Sequence, residues 1–237
     1  MIDSNLTSQV QSALAAAQSV LIVLPPKPNF DQVASALGLF LSLSKAGKNA
    51  SLASPTRMTV EFSSLIGVDQ IKDNFQGSKD SLIVSFDYVE EAIEKVSYNI
   101  KGGKFHLTIK PKAGHPPLDS QKVEYSYAGG KVDLIITVGV NALKDLGSLY
   151  EDNQEAFKES QLINLDLNPR NLRYGQVNLI DPTAASLSEQ VVSLIARLRL
   201  SVDGDIGSNI YWGLKKQPLI LLPGRLVRQL LKQRPFA

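Results

Sequence analysis

The chain has 237 residues, of which 43% are hydrophobic and 20% charged, an ordinary globular composition that suits one large domain or two small ones. It contains no cysteine, which excludes disulfides, cysteine–zinc sites and thiol catalysis. No apolar run reaches the roughly 20 residues of a transmembrane helix, and the first residues lack the pattern of a signal peptide, so we expect a cytoplasmic protein.

The first predicted elements form a strand–helix–strand unit. The spacing of apolar residues predicts a helix over 4–17, a buried strand over 20–24, a helix over 32–46 and a short strand over 50–53. Prolines between the first strand and the second helix favour an extended loop there. Asp31 stands where it can act as the N-cap of the second helix. This order predicts a βαβ unit.

The middle of the chain departs from this pattern. After an apolar strand at 81–86, apolar and polar residues alternate on both sides of Gly102-Gly103, which indicates a β-hairpin. A third alternating strand is predicted over 122–127. We therefore expect residues 94–128 to form a small antiparallel insertion of three strands.

The buried-strand pattern then resumes. The predicted elements are a strand at 133–138, helices near 141–146 and 148–159, strands at 162–165 and 176–180, and helices at 186–200 and 204–214. Alternating strands and helices predict an α/β fold, a mostly parallel open sheet with helices on both faces, plus an antiparallel β-hairpin insertion. We expect residues 1–200 to form the α/β domain and residues 201–237 a short, helical, basic C-terminal extension.

Three segments of the predicted α/β domain carry motif residues in a recognisable order. The first is a strand, a loop and Asp31 before a helix rich in small residues, and the second is the strand DLIITVG. The third is NLDLNPRNLRYGQVNLIDPTAASLSE, with Asp166, Asn171, Tyr174, Gly175, Asn178, Asp181, Pro182 and Ser186. Across 18–56 and 131–200 the chain resembles the DHH phosphoesterase superfamily, in particular the N-terminal domain of its oligoribonuclease/pAp phosphatase-like members.

The resemblance implies two divalent metal ions, held by carboxylates and histidines, and a bridging water that attacks phosphorus. The chain departs from the family at the metal ligands. The residues that replace them are Pro25 and Asn29 in the first motif, Gly139 in the second, and Leu167 and Asn168 in the third. Only Asp31 and Asp166 remain, and two carboxylates offset about half of the four positive charges of a metal pair.

We therefore expect a DHH-like domain without working two-metal chemistry, which needs no cofactor and acts in regulation or in binding a nucleotide or another phosphorylated ligand. The residues expected at the ligand are Asn29, Asp31, Asp166, Asn168, Asn171 and Asn178. Each also has a structural interpretation: a helix cap or strand-end turn for the two Asp residues, and hydrogen bonding to the loop backbone for the Asn residues.

Basic residues offer further contacts. Lys27, Arg170 and Arg173 lie near the same predicted sheet edge and suit either phosphate binding or a solvated surface. Residues 215–237 carry six Lys and Arg and no acid. This tail could touch nucleic acid or an anionic membrane surface, pack on the body of the protein, or pair with the acidic body of a second copy in a homodimer.

Two alternatives to a non-catalytic role stay open. One is a metal-dependent phosphoesterase that acts on short oligonucleotides, pAp or cyclic dinucleotides, with Mn²⁺ held by Asp31 and Asp166. The other is an interaction protein that works through the hairpin and the basic tail.

Overall fold

A computed structural model of the protein describes residues 4–73, 81–87, 89–128 and 132–215. The chain divides into two compact units, one made by residues 1–75 with 131–237 and the other by residues 76–130. Most of the basic tail, and its predicted helix, lies outside the described residues. Within the described ranges no helix is both long enough and apolar enough to cross a membrane.

Most helices and strands lie close to the positions predicted from the sequence. The strands are β1 (Ser19–Val23), β2 (Asn49–Ala53), β3 (Ile71–Lys72), β4 (Ser81–Ser85), β5 (Ile93–Lys101), β6 (Lys104–Pro111), β7 (Glu124–Ala128), β8 (Leu134–Val138), β9 (Gln161–Asp166) and β10 (Val177–Ile180). The α-helices are α1 (Ser4–Ala16), α2 (Phe30–Lys45), α3 (Ser148–Glu151), α4 (Gln154–Glu159), α5 (Leu187–Arg197) and α6 (Gly204–Lys215).

The larger unit is built on a parallel sheet of six strands in the order β10-β9-β8-β1-β2-β3. Every neighbouring pair in this sheet is parallel. Its central strands are short runs of Val, Ile and Leu, because both of their faces are buried. The predicted α/β architecture, a mostly parallel sheet with helices, is confirmed.

Helices cover both faces of this sheet. In β1, Val20 and Ile22 point into a core shared with α1, α2, α5 and α6, whereas Leu21 and Val23 point into a second core shared with α3 and α4. The alternation follows directly from the two-residue repeat of a β-strand. The prediction of helices on both faces is therefore confirmed.

Two helical predictions differ in detail. The helix predicted over 148–159 is two short helices, α3 and α4, and the one near 141–146 is a 3-10 turn at Leu143–Leu146. Asn153, between α3 and α4, has non-helical backbone angles, and its side-chain amide donates to the Leu149 carbonyl oxygen at 3.0 Å. Such local side-chain bonding competes with helix continuation.

The described residues of the smaller unit form two antiparallel strand pairs. Strands β5 and β6 form the predicted hairpin around Gly102-Gly103, which both have positive φ. Strand β7 pairs with β4, so the prediction of a third insertion strand beside the hairpin is wrong. Alternation in the sequence gives the faces of a strand but not its neighbour, and β7 finds its partner about 40 residues earlier in the chain.

Helix α6 packs closely on α2 and α5 through glycine. A methyl group at Gly213 would lie 3.0 Å from the Ala34 Cβ atom in α2 and would overlap the Ser188 hydroxyl of α5. Gly207, on the same helix, has nothing within 4 Å of its corresponding position. Gly207 and Gly213 thus differ in packing and share a helical backbone.

We predict that Gly213→Ala destabilises the protein by about 1–3 kcal/mol, because neighbouring helices must move apart. Gly207→Ala, the matched control, is expected to stabilise it by up to about 1 kcal/mol, since Ala is the better helix former. Urea denaturation measures both. Equal effects of the two substitutions would contradict this packing.

Candidate functional site

The candidate site lies at the carboxyl edge of the parallel sheet. Strands β9, β8 and β1 are adjacent and parallel, so the loops that follow them meet at this edge. The chain leaves β1 to reach β2 on one side, while β8 flanks β1 on the other. Ligands of open α/β sheets bind in the crevice at such a switch point.

The loop after β1 ends at Asn29, which begins helix α2. The Asn29 side-chain oxygen accepts from the Gln32 amide at 2.9 Å, and the Gln32 Oε1 atom accepts from the Asn29 amide at 2.7 Å. This is a reciprocal capping box. The prediction that Asp31 caps this helix is wrong, because Asp31 lies within its first turn.

Asp31 caps a different helix. Its carboxylate, only 4% exposed, accepts from the Leu187 amide at 2.7 Å and from the Ser188 amide at 3.0 Å at the start of α5. Ser186 satisfies a further amide of that helix, the one of Glu189, at 3.0 Å. Burial raises the pKa of the Asp31 carboxyl, and the hydrogen bonds from Ser188 and Leu187 act in the opposite direction.

The loop after β8 meets α2 through Gln32. The Gln32 Nε2 atom donates to the Gly139 carbonyl oxygen at 3.0 Å and so links the start of α2 to the loop after β8. Gly139 has a φ of 68°, and a Cβ atom there would lie 2.9 Å from the Gln32 Cγ atom. The resemblance places the second-motif Asp at Gly139, and the Gln32 side chain occupies the space that such an Asp would need.

Asp166 ends β9 and organises the loop that follows. Its Oδ1 atom accepts from the Leu167 amide at 2.7 Å and the Asn168 amide at 3.2 Å, and its Oδ2 atom accepts from the Asn171 side chain at 2.7 Å. The side chain is 7% exposed. Asp166 therefore uses both oxygens to hold its own loop.

Asn171 is the centre of a buried polar network. Besides binding Asp166, its side chain donates to the Val140 carbonyl oxygen at 2.9 Å, which joins the loops after β8 and β9. Its own oxygen accepts from Asn164 at 2.7 Å and from the Arg173 amide at 2.8 Å. The side chain is 6% exposed, so these bonds are shielded from water.

Sequence reasoning missed Asn164, which extends this network to the edge strand. It is fully buried in β9 and donates to the side-chain oxygens of Asn171 at 2.7 Å and Asn178 at 3.2 Å. Thr137 of β8 approaches the Asn164 oxygen at 3.3 Å. The signal was present: a buried strand with Asn in an otherwise apolar run needs polar partners for it.

Tyr174 completes the network on the side of β8. Its hydroxyl donates to the Val140 carbonyl oxygen at 3.0 Å and lies 2.7 Å from the Thr137 hydroxyl. Burial raises the pKa of Tyr174, so this phenol stays neutral throughout the ordinary pH range. It acts as a hydrogen-bonding strut and supplies no charge.

The six residues predicted at the ligand thus fall into different groups. Asp166, Asn168, Asn171 and Asn178 come together in or beside one loop network, while Asn29 caps α2 and Asp31 turns to α5. Asn168 is exposed and donates to the Asn141 side chain at 3.0 Å across to the loop after β8. The Asn168 side-chain oxygen also accepts from the Arg170 amide at 3.0 Å, so the structural interpretation, bonding to the loop backbone, holds for Asn168 as well as for Asn171 and Asn178.

Cationic side chains rim the same edge. Lys27, Arg170 and Arg173 are exposed in the loops after β1 and β9. Lys27 and Arg173 both have a φ of 50°, in the left-handed region that favours glycine. The Lys27 amide is fixed by the Thr56 hydroxyl at 2.9 Å, and the Arg173 amide by Asn171. Two strained backbone positions at one edge are both held in place by side chains.

The available donors do not fit a pair of divalent cations. Each oxygen of Asp31 and Asp166 already accepts at least one hydrogen bond within the protein. The described parts of the chain contain no cluster of three or more His, Cys, Asp or Glu side chains placed to hold a metal ion. His106 and His115 belong to the smaller unit.

Comparison with known proteins gives a likeness of fold. No family model matches the chain, and no curated protein matches it. A solved structure of an exopolyphosphatase-related protein from Bacteroides fragilis matches with a TM-score of 0.61 at 15% identity, over 98% of this chain and 56% of that one. The chain therefore shares the fold of that protein and spans little more than half of its length.

The buried network predicts a sharp difference between two Asn residues of one loop. Asn171→Ala should lower the free energy of unfolding by about 1–3 kcal/mol, because it leaves buried partners unsatisfied. Asn168→Ala removes bonds at an exposed position and should cost about 0.5 kcal/mol. Urea denaturation separates the two. A small loss for Asn171→Ala would show that the network does not hold the loop.

The helix-capping role of Asp31 can be separated from metal binding by measuring stability in a chelator. Asp31→Asn should destabilise the metal-free protein by about 1–3 kcal/mol, because an amide nitrogen then faces a helix amide. If Asp31 were instead a metal ligand, Asp31→Asn would stabilise the metal-free protein, since the ligands of a metal site repel one another without the cation. Asp152→Asn, an exposed acid, is the control and should change stability by less than about 0.5 kcal/mol.

Proposed function

We propose that this chain is a DHH-like domain that has lost two-metal phosphoesterase chemistry and acts as a non-catalytic module that binds a nucleotide or another phosphorylated ligand, or regulates a process through it. One observation carries this proposal: the two carboxylates that the resemblance keeps, Asp31 and Asp166, are both committed to internal hydrogen bonds. Asp31 caps helix α5 and Asp166 holds its own loop, whereas a metal site would need both carboxylates as ligands.

Electrostatics support the loss of metal chemistry. Two divalent cations about 3.5–4 Å apart repel strongly and need several anionic ligands to hold them. Side chains at this edge that reach between the loops are neutral amides and hydroxyls, namely those of Gln32, Asn168, Asn171 and Tyr174. Neutral groups give no compensation for that repulsion, whereas they suit hydrogen bonding to a ligand that carries its own charge.

The cationic rim supports a phosphorylated ligand. The positive charges of Lys27, Arg170 and Arg173 favour an anionic ligand at the carboxyl edge, which is the usual location of ligands in open sheets. Asn29 and Asn168 are the exposed members of the predicted set and are the ones we assign to ligand contact. The buried Asn171, Asp31 and Asp166 and the half-buried Asn178 hold the two loops and helix α5 in position.

A working phosphoesterase is the second candidate, favoured by the name of the matched structure and by the survival of Asp31 and Asp166. It would use Mn²⁺ and hydrolyse pAp, a dinucleotide or cyclic di-AMP. Manganese-dependent turnover of one of these, lost in Asp166→Ala, would establish it and reject the non-catalytic role. Stoichiometric binding of two Mn²⁺ ions in calorimetry would also reject the non-catalytic role.

Arg173, whose backbone lies in the left-handed region, offers a direct test of the ligand site. Arg173→Gly should leave the ligand-free protein as stable as before or more stable by up to about 1 kcal/mol, because glycine relieves the positive φ. The same change should weaken nucleotide binding about tenfold if the guanidinium contacts phosphate. Arg199→Gly is the matched control, since Arg199 has a φ of 56° beyond the far end of α5.

A thermal-shift screen of pAp, dinucleotides and cyclic di-AMP, with EDTA or with Mn²⁺, provides the readout. A ligand at 100 times its Kd adds about 2.7 kcal/mol to stability, which gives an easily measured rise in Tm. We expect that rise in EDTA as well as in Mn²⁺. A panel without any shift in either condition would contradict the proposal.

A further inference from the structure

The β5–β6 hairpin has one apolar face. Cross-strand register pairs Val96 with Ile109, Tyr98 with Leu107 and Ile100 with Phe105, so these six side chains share a face. We call this set the apolar face. Five of its members, all except Ile109, are between 48% and 74% exposed. The Tyr98 and Phe105 rings stack with centroids 5.3 Å apart at an angle of 19°.

The opposite face of the same hairpin is polar and basic. It carries Lys95 paired with Lys110, Asn99 paired with His106, and Lys101 paired with Lys104. Because the cations point away from the apolar face, that face offers nothing to a phosphate backbone or an anionic lipid headgroup. Its partner must supply apolar side chains.

An apolar surface of this kind needs a cover. A two-stranded hairpin is at best marginally stable in water, and packing of its hydrophobic face normally provides the missing stability. Contiguous exposed apolar patches of several hundred Å² are unusual on monomers and mark interaction sites. The hairpin therefore resembles one sheet of a β-sandwich, with an apolar face suited to packing against a second sheet.

A groove lies at the base of the apolar face. Its volume is about 160 Å³, and its lining is mostly apolar, with Phe86, Val89, Ile93, Ile109, Pro116 and Leu118, but also includes the charged side chains of Asp87, Asp119 and Lys122. Ile109 belongs to both the groove and the apolar face. An apolar cavity of about 150 Å³ is large enough to bind benzene, so the groove can take one aromatic ring.

We propose that the apolar face packs against the same face of a second copy of this chain. Leu107 lies two residues from Phe105 and two from Ile109 on β6. A two-fold axis that runs between the two faces, opposite Leu107 and perpendicular to β6, would place Phe105 of one copy over Ile109 of the second copy, at the groove. The contact is isologous, because both Phe105 rings enter equivalent grooves.

Charge and area agree with this partner. Packed sheets lie about 10 Å apart, so the basic faces of the two hairpins point outward and lie beyond a Debye length of about 8 Å from each other. Six side chains that each bury about 60–120 Å² give an interface near the lower limit of specific association. We therefore expect a reversible dimer with a Kd in the micromolar range.

Sedimentation of the full chain at increasing concentration tests this association. The chain should shift from monomer to dimer, and Phe105→Ser should raise the dimer Kd at least about tenfold. His106→Ser, its neighbour on the opposite face, should change the Kd less than about twofold. A monomer at all concentrations, or equal effects of the two substitutions, would overturn the proposal.

Crosslinking gives a second readout that does not depend on removing the aromatic ring. The chain has no cysteine, so a single Leu107→Cys substitution gives one reactive thiol per copy. Because facing sheets lie about 10 Å apart, a short bis-maleimide rather than a disulfide should link two copies. Thr108→Cys, on the opposite face, should stay at background.

Equal crosslinking of both cysteine variants would overturn the proposed geometry.

The lipid alternative is tested with vesicles of phosphatidylcholine alone or mixed with phosphatidylserine. Binding of a monomeric chain to either vesicle, lost in Phe105→Ser, would assign the face to a lipid surface and reject the second copy. Neither result bears on the carboxyl-edge site of the larger unit.

Discussion

The hydrogen bonds from the first amides of α5 to the Asp31 carboxylate are the interaction on which the carboxyl edge depends. The start of a helix attracts anions, because its first amides lack partners and its dipole is positive there. Asp31 supplies that anion from α2, and Ser186 supplies the local cap. The contact joins two helices far apart in the sequence and commits a carboxylate that the resemblance assigns to metal chemistry.

The rest of the edge follows the same logic. Gln32 spans to the loop after β8, Asn171 spans to it from the loop after β9, and Asp166 folds its own loop. Amides can both donate and accept, so they join backbone groups of either kind without bringing net charge into a buried place. The edge is therefore held together by bonds that need no cation. We propose that the exposed Lys27, Arg170 and Arg173 side chains leave it open to an anion.

The sequence predicted the architecture because local periodicity decides it. Buried Val, Ile and Leu runs marked β1, β8 and β9, and alternation around Gly102-Gly103 marked the hairpin. It could not predict partners distant in the chain: β7 pairs with β4, and Asp31 caps α5 in place of its own helix. Asn164 was missed because a single polar residue in an apolar strand acquires meaning only from its neighbours across the sheet.

The carboxyl edge uses Asp31 and Asp166 to hold the fold, and we propose that it has too little negative charge for a metal pair. Crystals grown with excess Mn²⁺ and measured at the manganese absorption edge test it most directly. We expect no anomalous peak between Asp31 and Asp166, with the Leu187 and Asn171 hydrogen bonds intact. Two peaks about 3.5–4 Å apart, ligated by these carboxylates, would contradict it.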